Sequence, residues 1–256
     1  MKRKRPSSSS DGPSVWNSAG SLVMAPQQSF QPTEPHLVWG RRQDRLGRRF
    51  HARAAVVEHL ISHWTQPDWS GVDVSGGAGR WLSTLAPRFS QFSHLDLSPD
   101  ALHIARTEHP ELSHVEYGMV DLLRPREPGA DPSGRTWDVV FCLDTLVYRG
   151  DFVETALRNI RAFISPRGIA IIDVPTQFRA SISQRVKGQN YRGPERNFSP
   201  RAARALASEA GYICLATAYQ YAELPAPTHR LLVERGLTGW LPWPSTWMYL
   251  VLRVKD

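Results

Sequence analysis

From Gly71 onward the sequence alternates short apolar runs with helix-like stretches, and this alternation restricts the fold more than any other feature. The apolar runs are Gly71–Val74, Phe92–Leu97, Val115–Tyr117, Trp137–Leu143 and Ile169–Val174. Between them, Arg80–Phe89, Pro99–Thr107 and Phe152–Phe163 carry helical patterning. Strands separated by helices build βαβ units, and so an α/β domain with a parallel sheet flanked by helices. Right-handed crossovers then place functional loops at the carboxyl ends of the strands. A further helix is predicted over Pro200–Ala210, with Gly211 in a C-cap position. Strand-like Tyr212–Tyr221 follows, and the chain closes on Trp247–Val254.

The segments around this pattern divide the chain. Residues 1–35 are rich in Ser, Pro and Gln with few aliphatics, which predicts a disordered tail. The remainder, 36–256, reads as one domain opened by a helical stretch over 37–64. There Phe50, Ala54, Val57, Ile61 and Trp64 recur at helical spacing, and Arg41, Arg42, Arg45, Arg48, Arg49 and Arg53 crowd the approach to that face. Two readings stay open for these arginines: a solvated helix face, or a lid over an active site. Residues 175–198 and 222–246 interrupt the alternation at lengths unusual for connections in a compact domain, and are the predicted substrate cap.

Charge excludes less than it first suggests. The chain is formally +7, which taken alone points to a polyanion. Residues 1–53 hold ten Lys+Arg and three acids, whereas residues 54–256 hold 21 of each sign. The body is neutral, and no nucleic-acid partner is expected for it. Lys2–Arg5 would serve as a nuclear-import patch or simply as a solvated terminus. Pro6 and four serines stand where a signal peptide needs apolar residues, so a cytoplasmic location is expected. Two cysteines, Cys142 and Cys214, exclude a disulfide framework, and no metal-ligand spacing is present; His59 and His63 lack partners for a site.

The stretch that carries chemistry is Val72-Asp73-Val74-Ser75-Gly76-Gly77-Ala78-Gly79, running from a strand into a helix. Glycines at such a turn let a ligand approach the backbone. Phe92-Ser93-His94-Leu95-Asp96 then ends in a carboxylate 23 residues after Asp73, the spacing at which an acid reaches ribose hydroxyls. No Gly-Lys-Ser/Thr follows the turn, which excludes a P-loop.

These residues resemble the class I S-adenosylmethionine-dependent methyltransferases, over roughly residues 50–254. The acid and glycine motif is Asp73–Gly79, with Ser75 replacing the first glycine. Leu95–Arg106 resembles the second motif, Val120-Asp121-Leu122 the third-strand acidic turn, Trp137–Leu143 the fourth strand, and Asn159–Gly168 the turn before the fifth. The resemblance implies a Rossmann-like, doubly wound, mostly parallel sheet of seven strands with helices on both faces and cap insertions. It implies S-adenosyl-L-methionine as cofactor. Ser75, Gly77 and Gly79 would pass along its methionine portion, with Asp73 orienting the ammonium. Asp96 would accept from the ribose hydroxyls with Leu97 against the adenine. Asp121 would accept from the adenine amino group with Leu122 nearby, and the backbone of Cys142 and Leu143 would close the methionine end.

Asp144, Tyr148 and His229 are the candidate bases, the first two in the loop that faces the methyl group in this fold. Tyr148, Phe178, Tyr191, Trp240, Trp243 and Trp247 offer either an aromatic pocket wall or plain cover for the sheet. Arginines in 175–198 suit a carboxylate or phosphate on the acceptor. The expected function is methyl transfer to O, N or C of a small-molecule acceptor. The alternatives are an RNA or protein methyltransferase using the basic arm, and a cofactor-binding regulatory protein without catalysis.

Overall fold

Alternation of inward and outward side chains along the strands builds two apolar layers, one on each side of a central sheet. The structure, a computed structural model, describes residues 47–124, 135–147, 152–178, 197–221 and 245–255. The predicted tail and most of both cap insertions, with Tyr148, Tyr191, His229, Trp240 and Trp243, lie outside the described residues. The helices are α1 (Gly47–Trp64), α2 (Leu82–Leu85), α3 (Pro99–Glu108), α4 (Phe152–Ile160) and α5 (Pro200–Glu209). The strands are β1 (Gly71–Val74), β2 (Phe92–Asp96), β3 (Val115–Met119), β4 (Trp137–Cys142), β5 (Ile164–Pro175), β6 (Tyr212–Tyr221) and β7 (Ser245–Val254).

These strands form one seven-stranded sheet in the order β3-β2-β1-β4-β5-β7-β6. Neighbours from β3 to β5 pair in parallel, and β7 runs antiparallel to both β5 and β6. The expected mostly parallel α/β sheet is thus present. Strand order reverses between β1 and β4, the kind of position where a crevice opens beyond the carboxyl ends. No helix among the described residues is long and apolar enough to cross a membrane.

Period-two alternation assigns each layer. Val140 and Cys142 of β4, Ala170 and Ile172 of β5 and Leu250 of β7 pack with Val153, Leu157 and Ile160 of α4 and Leu206 of α5. The intervening Val139, Phe141, Ile169, Ile171 and Val251 face Val56, Val57, Leu60 and Ile61 of α1 and Leu82 and Leu85 of α2. The sequence stripe on α1 is therefore its core face, with Phe50 and Trp64 packed at its margins.

Some boundaries differ from the sequence reading. The helix predicted over Arg80–Phe89 begins only at Leu82 and gives way to a 3₁₀ turn at Ala86–Arg88, because Pro87 has no N–H to continue an α ladder. β5 starts at Ile164, paired with Trp137, rather than at Ile169. Asp138 is a fastener here: its carboxylate accepts from Ser70 N–H and Oγ, both at 3.0 Å, and from Ser165 Oγ at 2.9 Å.

Candidate active site

The turn after β1 is built from left-handed backbone. Ser75 has φ +59°, Gly77 +59° and Gly79 +83°. Gly76 leaves no space for a side chain, since a Cβ there would run into His94 and Asp73. At Gly77 a Cβ would meet nothing within 4 Å, so the outer side of the turn is open. That combination is a packed inner wall with an accessible backbone surface outside it.

Carboxylates from two strands converge on this turn. Asp96, at the end of β2, accepts from Gly77 N–H at 2.8 Å through Oδ2 and from Ser98 N–H at 2.9 Å through Oδ1. Ser98 then caps α3 by accepting from Ala101 N–H. Each Asp96 oxygen retains a lone pair for a further donor. Asp73 is fully buried in β1, and its Oδ1 has no hydrogen-bond partner among the described residues. Burial pushes its carboxyl up from the ordinary range. A buried acceptor without a donor, beside an open turn, suits a cationic or hydroxyl-bearing ligand.

Beyond β2 and β3 the surface is apolar. Leu97 is 42% exposed and Met119 55% exposed, and Asp121 follows Met119 by two residues. Asp121 Oδ1 accepts from Leu123 N–H at 2.9 Å, and its Oδ2 pairs with Arg124 at 3.2 Å. Leu122 turns into the core instead, its carbonyl accepting from Asn159 at 2.7 Å. Met119 is the apolar neighbour that the sequence reading did not single out.

On the β4 side the structure assembles a buried charge network. Asp144 has φ +61°, and its backbone N–H donates to Asp173 Oδ1 at 2.8 Å. Its carboxylate accepts from Arg53 Nη1 at 2.6 Å, Arg80 Nη1 at 3.2 Å and Trp81 Nε1 at 3.1 Å. Arg53 also donates to Tyr249 OH at 3.0 Å and to Asp173 Oδ2. Its guanidinium carbon lies over two indole rings, 4.1 Å from the Trp247 centroid and 5.0 Å from that of Trp81. Arg53 is thus 3% exposed, which settles its own case against the solvated reading. Trp247 stacks on that cation and is buried.

Burial alone would raise Asp144, but the Arg53 and Arg80 charges outweigh it and hold the carboxyl below its usual range. Asp173 moves the other way: burial, with the Asp144 charge nearby, pushes it up to about 7 despite Arg53. Thr145 ties this loop to the glycine turn by donating to Ser75 carbonyl at 3.3 Å. Cys142 and Leu143 are buried at the same strand end, and burial raises the Cys142 thiol. The structure therefore gathers Asp73, Ser75, Gly77, Gly79 and Asp96 at one turn and brings Asp144 alongside. Arg80, His94, Asp173 and Tyr249 were not singled out by the sequence reading, and Arg53 only as one of six arginines at the approach to the α1 stripe. Asp173 had a signal, a lone acid within Ile169–Val174; so did Arg53, spaced three and four residues from Phe50 and Val57.

Residues 72–170 match the family model described as a methyltransferase domain. Over 132 residues the chain is 27% identical to dTDP-3-amino-3,6-dideoxy-alpha-D-glucopyranose N,N-dimethyltransferase of Streptomyces fradiae, covering 50% of this chain and 48% of that one. The match thus spans about half the length of that relative. A S-adenosylmethionine-dependent methyltransferase from Clostridium acetobutylicum superposes with a TM-score of 0.62 at 13% identity, over 86% of this chain and 99% of the other. N-methyltransferase NodS from Bradyrhizobium japonicum, solved with S-adenosyl-L-homocysteine, superposes at 0.56 and 14% identity, over 84% and 91%.

Proposed function

We propose, for a chain that belongs to the class I S-adenosylmethionine-dependent methyltransferases, that it methylates a small-molecule acceptor. The observation that carries this reading is the glycine turn. Its outer side is open, Asp96 binds Gly77 N–H at 2.8 Å with lone pairs to spare, and the Asp73 oxygen behind it lacks a donor among the described residues. These features fit S-adenosyl-L-methionine. Ser75, Gly77 and Gly79 would line its methionine portion, and Asp73 would accept from its ammonium. Asp96 would hold the ribose hydroxyls, with Leu97 and Met119 against the adenine and Asp121 at its amino group. The backbone of Cys142 and Leu143 would close the methionine end.

The cofactor supplies an already electrophilic methyl group. The chain's own task is then to orient the acceptor in line and exclude water, an effect that reaches about 7–11 kcal/mol in favourable cases. Asp144 is committed to Arg53, Arg80 and Trp81, and a carboxylate held below its usual range is a poor proton acceptor. We assign it a positioning role, setting the β4 loop against the turn. Tyr148 and His229 remain the candidates for removing a proton from the acceptor.

The Streptomyces relative is named for dimethylating an amino sugar nucleotide, so amino-sugar nucleotides and other small amines are the first acceptors to try. The test is a transfer assay with the methyl-labelled cofactor on metabolite, RNA and protein fractions. Label in the small-molecule fraction is the expected result. Label confined to RNA or protein overturns the acceptor class. No label anywhere, with intact S-adenosyl-L-homocysteine binding, marks a binding-only protein.

A further inference from the structure

Two side chains of β2 grip a single glycine. Residues i and i+2 of a strand share a face, and His94 and Asp96 both reach Gly77. Asp96 accepts its N–H at 2.8 Å, and His94 Nε2 lies 2.9 Å from its carbonyl oxygen. Gly77 has φ +59°, a conformation that fixes which way both peptide groups point. The second ring nitrogen, His94 Nδ1, lies 3.4 Å from Asp73 Oδ2, within ion-pair range but without hydrogen-bond alignment; both side chains are fully buried, and neither atom has another hydrogen-bond partner among the described residues.

Both neighbours of this imidazole are acceptors, one a carbonyl and one a carboxylate. A neutral ring carries one N–H and satisfies only one of them. Holding both takes one more proton, either as an imidazolium or on the Asp73 carboxyl as donor to Nδ1. The count for the pair is the same either way. The groups facing it are Asp73 from β1, Asp96 from β2, and Tyr117 from β3, whose ring meets the imidazole edge-on at 5.7 Å. Arg106 of α3 lies 4.9 Å over the Tyr117 ring, and the Asp144 charge acts on Asp73. Burial raises Asp73; on His94 burial would lower proton affinity, but the Asp73 contact overrides it and raises it.

We propose that His94 is a positioning residue for the cofactor turn: the proton it shares with Asp73 lets it hold the Gly77 carbonyl, keeps Gly77 N–H on Asp96, and makes cofactor affinity fall when that proton leaves. This rests on the methyltransferase reading. The proton is retained at low pH and lost as pH rises through the pair's raised values. Weakening therefore falls on the alkaline side of the ordinary imidazole range near about 6.5.

The test measures S-adenosyl-L-homocysteine dissociation constants by calorimetry from pH 6 to 9.5 for the full chain, His94→Gln and Asp73→Asn. The ligand's own amino group titrates in every sample, so the readout is the variant-to-parent ratio at each pH. For His94→Gln the ratio is expected near about tenfold at the acid end, the worth of a charge-assisted hydrogen bond, and falls toward one at the alkaline end. Asp73→Asn donates an amide N–H to a neutral ring without an extra proton; because it also removes the acceptor for the ligand's ammonium, its ratio is read with methylthioadenosine, which has no amino group, and is expected to decline with pH. It carries the test where His94→Gln does not fold. A ratio independent of pH for the variant measured, or an affinity for His94→Gln equal to the parent throughout, overturns the proposal while leaving the methyltransferase reading intact. Failure of the parent to bind at any pH overturns both.

Discussion

Arg53 Nη1 lies 2.6 Å from Asp144 Oδ1 across 91 residues of chain, and this pair fastens α1 to the loop that ends β4. The guanidinium satisfies three partners, Asp144, Asp173 and Tyr249, while two indoles lie within 5.0 Å of its carbon. Planarity makes this arrangement possible; a point-charge ammonium cannot fork and stack at once. The helix at the front of the domain is thereby tied to the edge of the sheet where an acceptor would approach.

Removing that cation leaves Asp173 buried without its guanidinium and Asp144 with only Arg80 as a counter-charge among the described residues. Arg53→Met is expected to cost about 3–5 kcal/mol in unfolding free energy, the range for breaking a buried pair from one side. Arg53→Lys should recover only a small part of the loss. Urea unfolding of the three proteins checks this, and a loss below about 1 kcal/mol for Arg53→Met would show the network to be energetically idle.

Asp96 contributes to two backbone contacts and still has capacity for a ligand. Asp96→Ala is expected to weaken S-adenosyl-L-homocysteine binding by at least about tenfold, because the turn loses an anchor and the ribose loses an acceptor. Calorimetry at fixed pH reads it. Unchanged affinity would remove Asp96 from the cofactor site.

The adjacent glycines should separate packing from access. Gly76→Ala drives a methyl into His94 and Asp73 behind the turn, so loss of stability and of ligand binding should appear together. Gly77→Ala meets no atom but must hold φ +59°. Its stability cost should be about 1–2 kcal/mol, with a larger relative loss in ligand affinity, since the new methyl occupies the open side. Thermal melts paired with calorimetry distinguish the two, and equal effects on both properties would contradict the assignment of inner and outer faces.

How much of this was legible varies with the range of the interaction. Local signals carried the strands: Gly71–Val74 and Tyr212–Tyr221 have the predicted bounds, because apolar runs with turn residues at their ends state their own limits. The acids of the turn were also readable, since Asp73 and Asp96 lie at the carboxyl ends of neighbouring strands, Asp73 one residue before the end of β1. Arg53 was legible as part of an arginine-lined helix face, but its burial was not, because that depends on Asp173, 120 residues away, and on Trp247 in the last strand. His94 was hidden by its chemistry: a polar residue in an apolar strand does not announce that its partner is a glycine carbonyl. Leu122 was misplaced for a similar reason, as its register after β3 decides whether it faces ligand or core.

Asp173 supplies a pH signature of its own. Its folded value, about 7, lies above the ordinary carboxyl value near about 4. A group that binds its proton more tightly in the native state favours folding when protonated, so this contribution is full below about pH 4 and is lost as pH rises through about 7. Asp144 acts in the opposite sense. Its lowered carboxyl stabilises the fold above about pH 4, and that contribution fades as pH falls below it. Asp173→Asn removes the first effect and keeps the size of the side chain. The stability of the parent relative to Asp173→Asn is therefore expected to decline between pH 5 and 8, as read from urea midpoints at each pH. A difference that is constant across that window would mean that Asp173 stays ionised throughout, with Arg53 fully compensating its burial.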